Sequence, residues 1–308
     1  MSIKRVWVEK HRPKSVDKVV MTDERMRKIF ASYVKAGEFP NILMYGGPGT
    51  GKTSLSLALI RDLGIDRMDV MKINCSDEKI DAIREKVFGF ATTMAMGKFK
   101  VVRLEEFDYM GGDAQALLRG LMEDVSNSCR FIATCNYINK VIPPLRSRFT
   151  QEFHINSPAK DDVVVLGAEI LEAEGVTFEV EDLEKIVAAS YPDVRKMIQL
   201  LEGNTIGGKL SLGSDEATVA DWKLELLPAL EASDLKAARK IVCESATQQE
   251  LTEIFTFLYH NLHRVKKLKS SLDDAIVLCA QYQHMHAFAA DPELNVAALF
   301  IEIGALVK

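Results

Sequence analysis

Cysteine is sparse in this 308-residue chain, and none of its five cysteines (Cys75, Cys129, Cys135, Cys243 and Cys279) falls in a C-x-x-C pair. That excludes the common zinc spacings, and an odd count with no framework suits a reducing compartment better than a disulfide scaffold. No apolar run is long enough to span a bilayer, and the charged N-terminal stretch has no apolar signal core. A basic excess is also missing. The 39 Lys and Arg against 44 Asp and Glu leave a net charge of -5. This argues against coating nucleic acid with the whole surface, but leaves room for a local basic stripe. Internal repeats and low-complexity tracts are absent too. The expectation is a soluble, cytoplasmic protein with no membrane partner, long enough for two or three domains.

What is present starts with a glycine-rich octet, Gly46-Gly47-Pro48-Gly49-Thr50-Gly51-Lys52-Thr53. It follows the apolar run Asn41-Ile42-Leu43-Met44-Tyr45 and precedes Ser54-Leu55-Ser56-Leu57-Ala58-Leu59-Ile60. The octet satisfies G-x-x-x-x-G-K-[ST], the loop that wraps nucleotide phosphates between a strand and a helix. Glycines let backbone N–H groups point at phosphate oxygens, and the following helix presents its positive end to the same charge. Lys52 is expected to reach the β- and γ-phosphates, and Thr53 to offer its hydroxyl to Mg²⁺. Gly47, Pro48, Gly49, Thr50, Gly51 and Ser54 complete the phosphate-side set. The implied ligand is ATP or GTP.

Residues 1–156 alternate apolar runs with helical patterns. The runs are 41–45, 70–74, 101–104 and 131–134. Such alternation predicts an α/β domain with a parallel sheet, whose ligands bind at the carboxyl ends of the strands. Ser157-Pro158 marks a break, after which the strand signal fades and 159–174, 181–190 and 193–202 read as three short helices. The stretch 203–208, with Gly213-Ser214 beyond it, reads as a linker. The remainder is helical in pattern, with Leu251, Ile254, Phe255, Leu258 and Leu262 spaced for one buried face. The expected domains are therefore 1–156, 157–210 and 211–308.

A phosphate-loop ATPase needs acids at the end of a neighbouring strand, one near the metal and one orienting water. Val101-Val102-Arg103-Leu104-Glu105-Glu106-Phe107-Asp108 supplies them. Glu106 is the candidate for polarising water. Glu105 takes the metal side, where Asp is usual, and its extra methylene shifts the carboxylate against the strict geometry Mg²⁺ demands. Arg103 is unexpected in a strand covered on both faces. It either pairs with Glu105 or reaches a basic surface.

Further motifs carry a family resemblance. Trp7-Val8-Glu9-Lys10-His11-Arg12-Pro13 resembles the W-x-x-K-[YH]-R-P box of sliding-clamp loaders. Cys135-Asn136-Tyr137-Ile138-Asn139-Lys140 and Pro143-Pro144-Leu145-Arg146-Ser147-Arg148 resemble the sensor 1 and S-R-C regions of that AAA+ family, and Tyr191-Pro192-Asp193-Val194-Arg195-Lys196 its sensor 2 helix. Order and spacing are similar to replication factor C-like subunits from end to end. Within that group the likeness is nearest to the large ATPase subunit of T-even-type bacteriophage loaders, in which case the cytoplasm is a host's. The resemblance implies an AAA+ domain, a three-helix lid and a helical collar, with ATP and Mg²⁺ as cofactors. It makes Asn136 a neutral partner of the γ-phosphate or lytic water and Arg148 a finger for a neighbouring subunit's ATP. Arg195 becomes the lid contact to nucleotide, and Arg12 and Pro13 line the base and ribose. Phe149 stands where the family has cysteine, at a packing position.

The same resemblance implies copies of this chain, a companion small subunit, a sliding clamp and primer–template DNA as partners. Residues 79–103 hold Lys79, Arg84, Lys86, Lys98, Lys100 and Arg103. Of these, Lys79 and Arg84 are the candidate DNA-backbone contacts. Arg264, Lys266, Lys267 and Lys269 form a second cluster, solvated or facing the assembly. Phe88, Phe90, Met94 and Met96 offer the clamp an apolar patch or belong to the core. Gln115 and Arg119 are positioned to relay partner contact to Glu106. The leading reading is an ATPase subunit of a clamp loader. The alternatives are another AAA+ machine, helicase or remodeller, and a structural subunit that binds ATP without cleaving it.

Overall fold

The computed structural model describes residues 6–76, 80–212, 222–246 and 250–307. The chain divides into two units. The first comprises Met1–Asp162 with Pro192–Arg195, and the second Val163–Tyr191 with Lys196–Lys308.

In the first unit five strands pair in parallel: β1 (Ile42–Tyr45), β2 (Val70–Asn74), β3 (Lys100–Glu105), β4 (Cys129–Cys135) and β5 (Gln151–His154). Their spatial order is β2-β3-β4-β1-β5. The four apolar runs expected as strands are strands. β5 is a fifth that the apolar pattern did not announce. It lies at the sheet edge, where one side faces no strand, and only Phe153 of its four residues is buried. Polar residues at the other positions hide such a strand from a search for apolar runs.

Six helices accompany the sheet: α1 (Trp7–Lys10), α2 (Glu24–Ala36), α3 (Lys52–Asp62), α4 (Ile80–Thr92), α5 (Gly112–Asp124) and α6 (Pro143–Arg146). Strand side chains alternate between faces. Ile42, Met44, Val101 and Ile132 pack with Phe30 of α2 and Leu55 and Leu59 of α3. Leu43, Val102, Leu104 and Phe131 pack with Val87 of α4 and Leu118 and Met122 of α5. This is a three-layer α/β domain. Because β3, β4 and β1 are neighbours, the loops at their carboxyl ends lie side by side, and those loops carry the acidic pair, Asn136 and the glycine octet.

The second unit is helical: α7 (Lys160–Ala173), α8 (Val180–Ser190), α9 (Val194–Gly203), α10 (Trp222–Glu231), α11 (Leu235–Ser245), α12 (Ile254–Asn261), α13 (Leu272–His286) and α14 (Pro292–Leu306). The helices expected for a lid and for a collar both fall mainly in this unit. The stretch read as a linker is instead a two-stranded hairpin, β6 (Thr205–Ile206) against β7 (Lys209–Leu210). Gly207 and Gly208 both hold positive φ (59° and 81°), the tight turn that a Gly-Gly pair permits. The turn is pinned by Thr177, whose N–H donates to Gly208 O at 2.9 Å and whose carbonyl accepts from Leu210 N at 2.9 Å. The core is a continuous apolar cluster that includes Leu226, Ile254, Phe257, Leu258, Val296 and Phe300. Among the described residues, no helix is long and apolar enough to cross a membrane.

Candidate active site

The glycine octet connects β1 to α3 as the motif requires. Two of its glycines cannot be replaced without displacing a neighbour. Gly46 has φ 152°, and a Cβ there would collide with the carbonyl of Ile155 beside β5. Gly49 has φ 70°, and a Cβ there would strike the carboxylate of Asp193. Gly51 also holds positive φ (93°) and sits at the N-cap of α3, with Leu55 N closing the first helical bond to its carbonyl at 2.8 Å. Thr50 Oγ1 donates to Gly47 O at 3.0 Å, which braces the loop. Gly47 and Pro48 are exposed, while Thr53 and Ser54 are half-buried in the first turn of α3.

Lys52 curls back over this loop. Its Nζ donates to Gly46 O (2.8 Å), Gly47 O (2.7 Å) and Asn136 Oδ1 (3.0 Å). All three ammonium protons are thus engaged, and two residues 84 positions apart in sequence meet at one point. Burial pulls the Lys52 pKa from its ordinary 10.5 to about 8. Cys135, Asp108 and Asp193 oppose that fall, and Arg195 reinforces it. Arg195 itself is exposed in the first turn of α9. Asp193 and Arg195 therefore belong to the loop's surroundings, although they lie far along the chain.

At the end of β3 the two acids diverge. Glu106 is exposed and in the left-handed region (φ 54°, ψ 43°). A non-glycine residue there costs about 1–3 kcal/mol and persists only where its surroundings dictate it. The dictating contact follows immediately. Phe107 is fully buried and packs edge-on to Phe149 at 5.8 Å, so Phe149 helps hold the turn after β3. Glu105 faces the α3 side of the sheet with Arg103. Its Oε1 accepts from Arg103 Nη2, and its Oε2 lies 2.8 Å from Lys72 Nζ. Of the two candidate groups for Mg²⁺, the Thr53 hydroxyl is suited to a metal arriving on a triphosphate, whereas both oxygens of Glu105 are committed to cations. Among the described residues, no group of three or more His, Cys, Asp or Glu could hold a metal.

Asp108, to which the sequence motif assigns no role, is 5% exposed. Its Oδ2 accepts from Tyr137 N at 3.2 Å, and its Oδ1 has no hydrogen-bond partner. It thereby ties the turn after β3 to the residue following Asn136. The spacing Glu-Glu-x-Asp was the available signal. Gln115 makes the matching tie from α5. It donates to Met110 O (2.8 Å) and Lys140 O (3.0 Å) and accepts from Ile142 N (2.8 Å). The expected relay residue is thus a buried junction between the loops after β3 and β4. Arg119 is half-exposed, 3.9 Å from Glu123. Glu123 also accepts from Arg148 Nη2, so the finger candidate is held on its own chain's α5.

Other sequence candidates are less central. Arg12 pairs with Glu9 at 2.6 Å. Pro13 is half-buried, and the segment beyond it docks on the end of α3, where Val16 N donates to Asp62 Oδ2 at 2.7 Å. Arg84 is exposed on α4, and Lys79 lies outside the described residues. The expected basic stripe loses two members. Lys100 is buried, donating to Phe90 O (2.9 Å) and Thr93 Oγ1 and lying 4.5 Å over the Phe90 ring, and Arg103 is buried in the sheet. In strands covered on both faces, these long cations are absorbed by local acceptors and do not reach the surface. Phe88, Met94 and Met96 are exposed, on and after α4. Arg264 pairs with Glu231 at 2.6 Å, while Lys266, Lys267 and Lys269 are exposed.

Residues 42–157 match the family model described as ATPase family associated with various cellular activities (AAA). The chain is 38% identical over 246 residues to a replication factor C small subunit from Sulfurisphaera tokodaii, covering 77% of this chain and 75% of that protein. It is 40% identical over 210 residues to the replication factor C small subunit of Archaeoglobus fulgidus, covering 67% and 65%. Among solved structures, the Thermotoga maritima RuvB Holliday junction branch migration motor superposes with a TM-score of 0.58 at 17% identity, covering 82% of this chain and 90% of that one. At that identity the likeness shows the fold alone. A phosphate loop, a neighbouring acidic pair and a sensor amide on an AAA+ sheet thus occur in a chain that shares most of its length with these archaeal proteins, and the chain belongs to the replication factor C small-subunit family, as an AAA+ ATPase subunit of a clamp loader.

Proposed function

We propose that this chain hydrolyses ATP at the seam between two subunits, to open a sliding clamp and leave it on primer–template DNA. The observation that carries the reading is the convergence of Lys52, Asn136 and the acidic turn at the ends of three adjacent strands. When ATP binds, Lys52 exchanges its loop carbonyls for phosphate oxygens, and Asn136 is left beside the γ-phosphate. Glu106 orients water and takes its proton as the oxygen attacks phosphorus. The β–γ bridging oxygen then leaves with ADP. Thr53 would offer its hydroxyl to Mg²⁺, which would neutralise charge on the triphosphate. Arg195 meets the nucleotide from the lid side. Arg12 and Pro13 border the base.

Arg148 acts on the ATP of a neighbouring copy, which requires its release from Glu123. Guanidinium charge delivered there stabilises the transferring phosphoryl group. The functional division runs 1–156 for nucleotide, 157–210 for the lid and 211–308 for assembly with copies and a small companion subunit. Lys79 and Arg84 contact the DNA backbone, while exposed Phe88, Met94 and Met96 suit an adaptable apolar contact with the clamp. The chain acts in the cytoplasm. Its finer affinity, for which the Gln283–Ile303 stretch speaks, is with T-even-type bacteriophage loaders.

Steady-state ATP turnover, measured with and without clamp and primed DNA, tests this reading. Stimulation by both together is expected. Stimulation by an unfolded protein instead would make the chain a remodeller, and no turnover under any condition would make it a scaffold.

A further inference from the structure

Val101, Arg103 and Glu105 share the face of β3 that looks toward α3. Val101 is the normal occupant of such a face. Arg103 is not, since it is 6% exposed in a strand with neighbours on both sides. A buried guanidinium needs a counter-charge, and losing it leaves a strongly destabilising lone ion. Glu105 Oε1 supplies that counter-charge through Arg103 Nη2. Its Oε2 meets Lys72, which pairs with Arg103 across the β2–β3 ladder. The other charge within electrostatic reach of Arg103 is Arg12, which is of the same sign. One carboxylate therefore faces two cations, Arg103 and Lys72. Residues two apart on a strand are about 6.6 Å apart, a span that glutamate's extra methylene helps to cover.

We propose that Glu105 is the counter-ion of Arg103, a positioning carboxylate shared with Lys72, and that the protein holds Mg²⁺ through Thr53 without it. Direct coordination would add a dication at about 2 Å to a carboxylate already facing those cations. This inference rests on reading the octet and the acidic turn as an ATP site.

The test uses the full-length chain and the variants E105D, E105Q, R103V and R103V/E105D. Two readouts are taken: Tm without nucleotide, and the gain in ATP affinity on replacing EDTA with Mg²⁺. E105D is expected to lower Tm by about 5 °C or more, with less than half that loss in the R103V background. E105Q keeps an acceptor for Arg103, and its Mg²⁺-dependent gain should stay within about twofold of the parent's. R103V frees the carboxylate and should raise that gain by about threefold or more. E105D at the parent's Tm overturns the pairing. A gain cut more than about tenfold in E105Q makes Glu105 a metal ligand. If the parent binds no ATP at all, the nucleotide reading fails, while the Tm cycle still decides whether Glu105 serves Arg103.

Discussion

The two units bury polar groups for different purposes. In the helical unit, Ser190, Asn204 and Asn261 return hydrogen bonds to nearby helix carbonyls, and buried Lys223 meets Glu253 at 2.5 Å. In the nucleotide unit, Asp69, Lys100, Arg103 and Asp108 are all buried, and Arg103 and Asp108 each retain an atom without a hydrogen-bond partner. One of these charges is plainly structural: Asp69 holds the N–H groups of Met96 and Gly97 at 3.0 and 2.7 Å. Lys100 is equally local, donating to Phe90 O and Thr93 Oγ1, whereas Asp108 lies within electrostatic reach of Lys52 in the phosphate loop. The helical unit also leaves buried atoms without a hydrogen-bond partner, at Trp222 Nε1 and Asn261 Oδ1. The difference is in charge: among the described residues the helical unit buries Lys223 alone, whereas the nucleotide unit buries four charged side chains that its apolar layers have to offset.

The sharpest way to break this contrast is at the outward edge of the nucleotide unit. Arg148→Ala should leave ATP binding intact and lower hydrolysis in the assembled complex by about 10³-fold or more. Mixed with wild-type copies, it should silence the neighbour's site and leave its own active. Loss of turnover confined to the mutant copy's own site would show that Arg148 acts within its subunit.

The helical unit should answer to packing alone. Phe257 is 2% exposed and packs against Trp222 at 5.9 Å. Phe257→Ala should cost about 3–5 kcal/mol, seen as a lower denaturation midpoint at unchanged m-value. ATP affinity measured well below the transition should not change. A parallel loss of affinity would mean that nucleotide binding draws on this core.

A smaller, pH-dependent effect separates ligand charge from folding. Lys52 has its pKa lowered to about 8, chiefly by burial. A triphosphate favours the protonated amine, so binding takes up a proton once pH exceeds that value. Affinity should be level below it, as far as Lys52 is concerned, and weaken above it by at most about tenfold per pH unit. Stability should move the opposite way. From about 8 toward 10.5 the unfolded chain binds more protons at this lysine than the folded one, so its burial penalty fades as pH rises. Titration calorimetry at pH 8 and 9.5 checks the first trend, and thermal melts across the same range check the second. Affinity that strengthened with pH would remove Lys52 from the phosphate contacts.

Much of the nucleotide unit was legible because its signals are local. The octet needs glycines at fixed spacing, four of the five strands are apolar runs, and the sensor amide follows such a strand. The unread parts depend on tertiary partners. β5 is an edge strand with one buried residue. Lys100 looks like surface charge until its acceptors at Phe90 and Thr93 are seen. The Gly207-Gly208 turn reads as a linker without Thr177 beside it. Asp193 sits against Gly49 from 144 residues away in the chain, the difference between the two positions. No periodicity in sequence encodes such a meeting.

The smallest effect is the most discriminating. Each unit holds one non-glycine residue at positive φ among those described: Glu106 (54°) in the first and Ser233 (58°) in the second. Glycine relieves such strain, so Glu106→Gly and Ser233→Gly should each stabilise the chain by up to about 1 kcal/mol. Their functional consequences should differ. Ser233→Gly should hydrolyse ATP at the parent's rate, because strain after α10 serves only to turn the chain. Glu106→Gly should lose about a hundredfold or more in turnover, because it removes the carboxylate proposed to orient water. Calorimetry and turnover measured on the same preparations decide it. If Glu106→Gly gains stability and keeps its rate, the left-handed turn is a by-product of burying Phe107, and the water-orienting group must be sought elsewhere on the loops after β3 and β4.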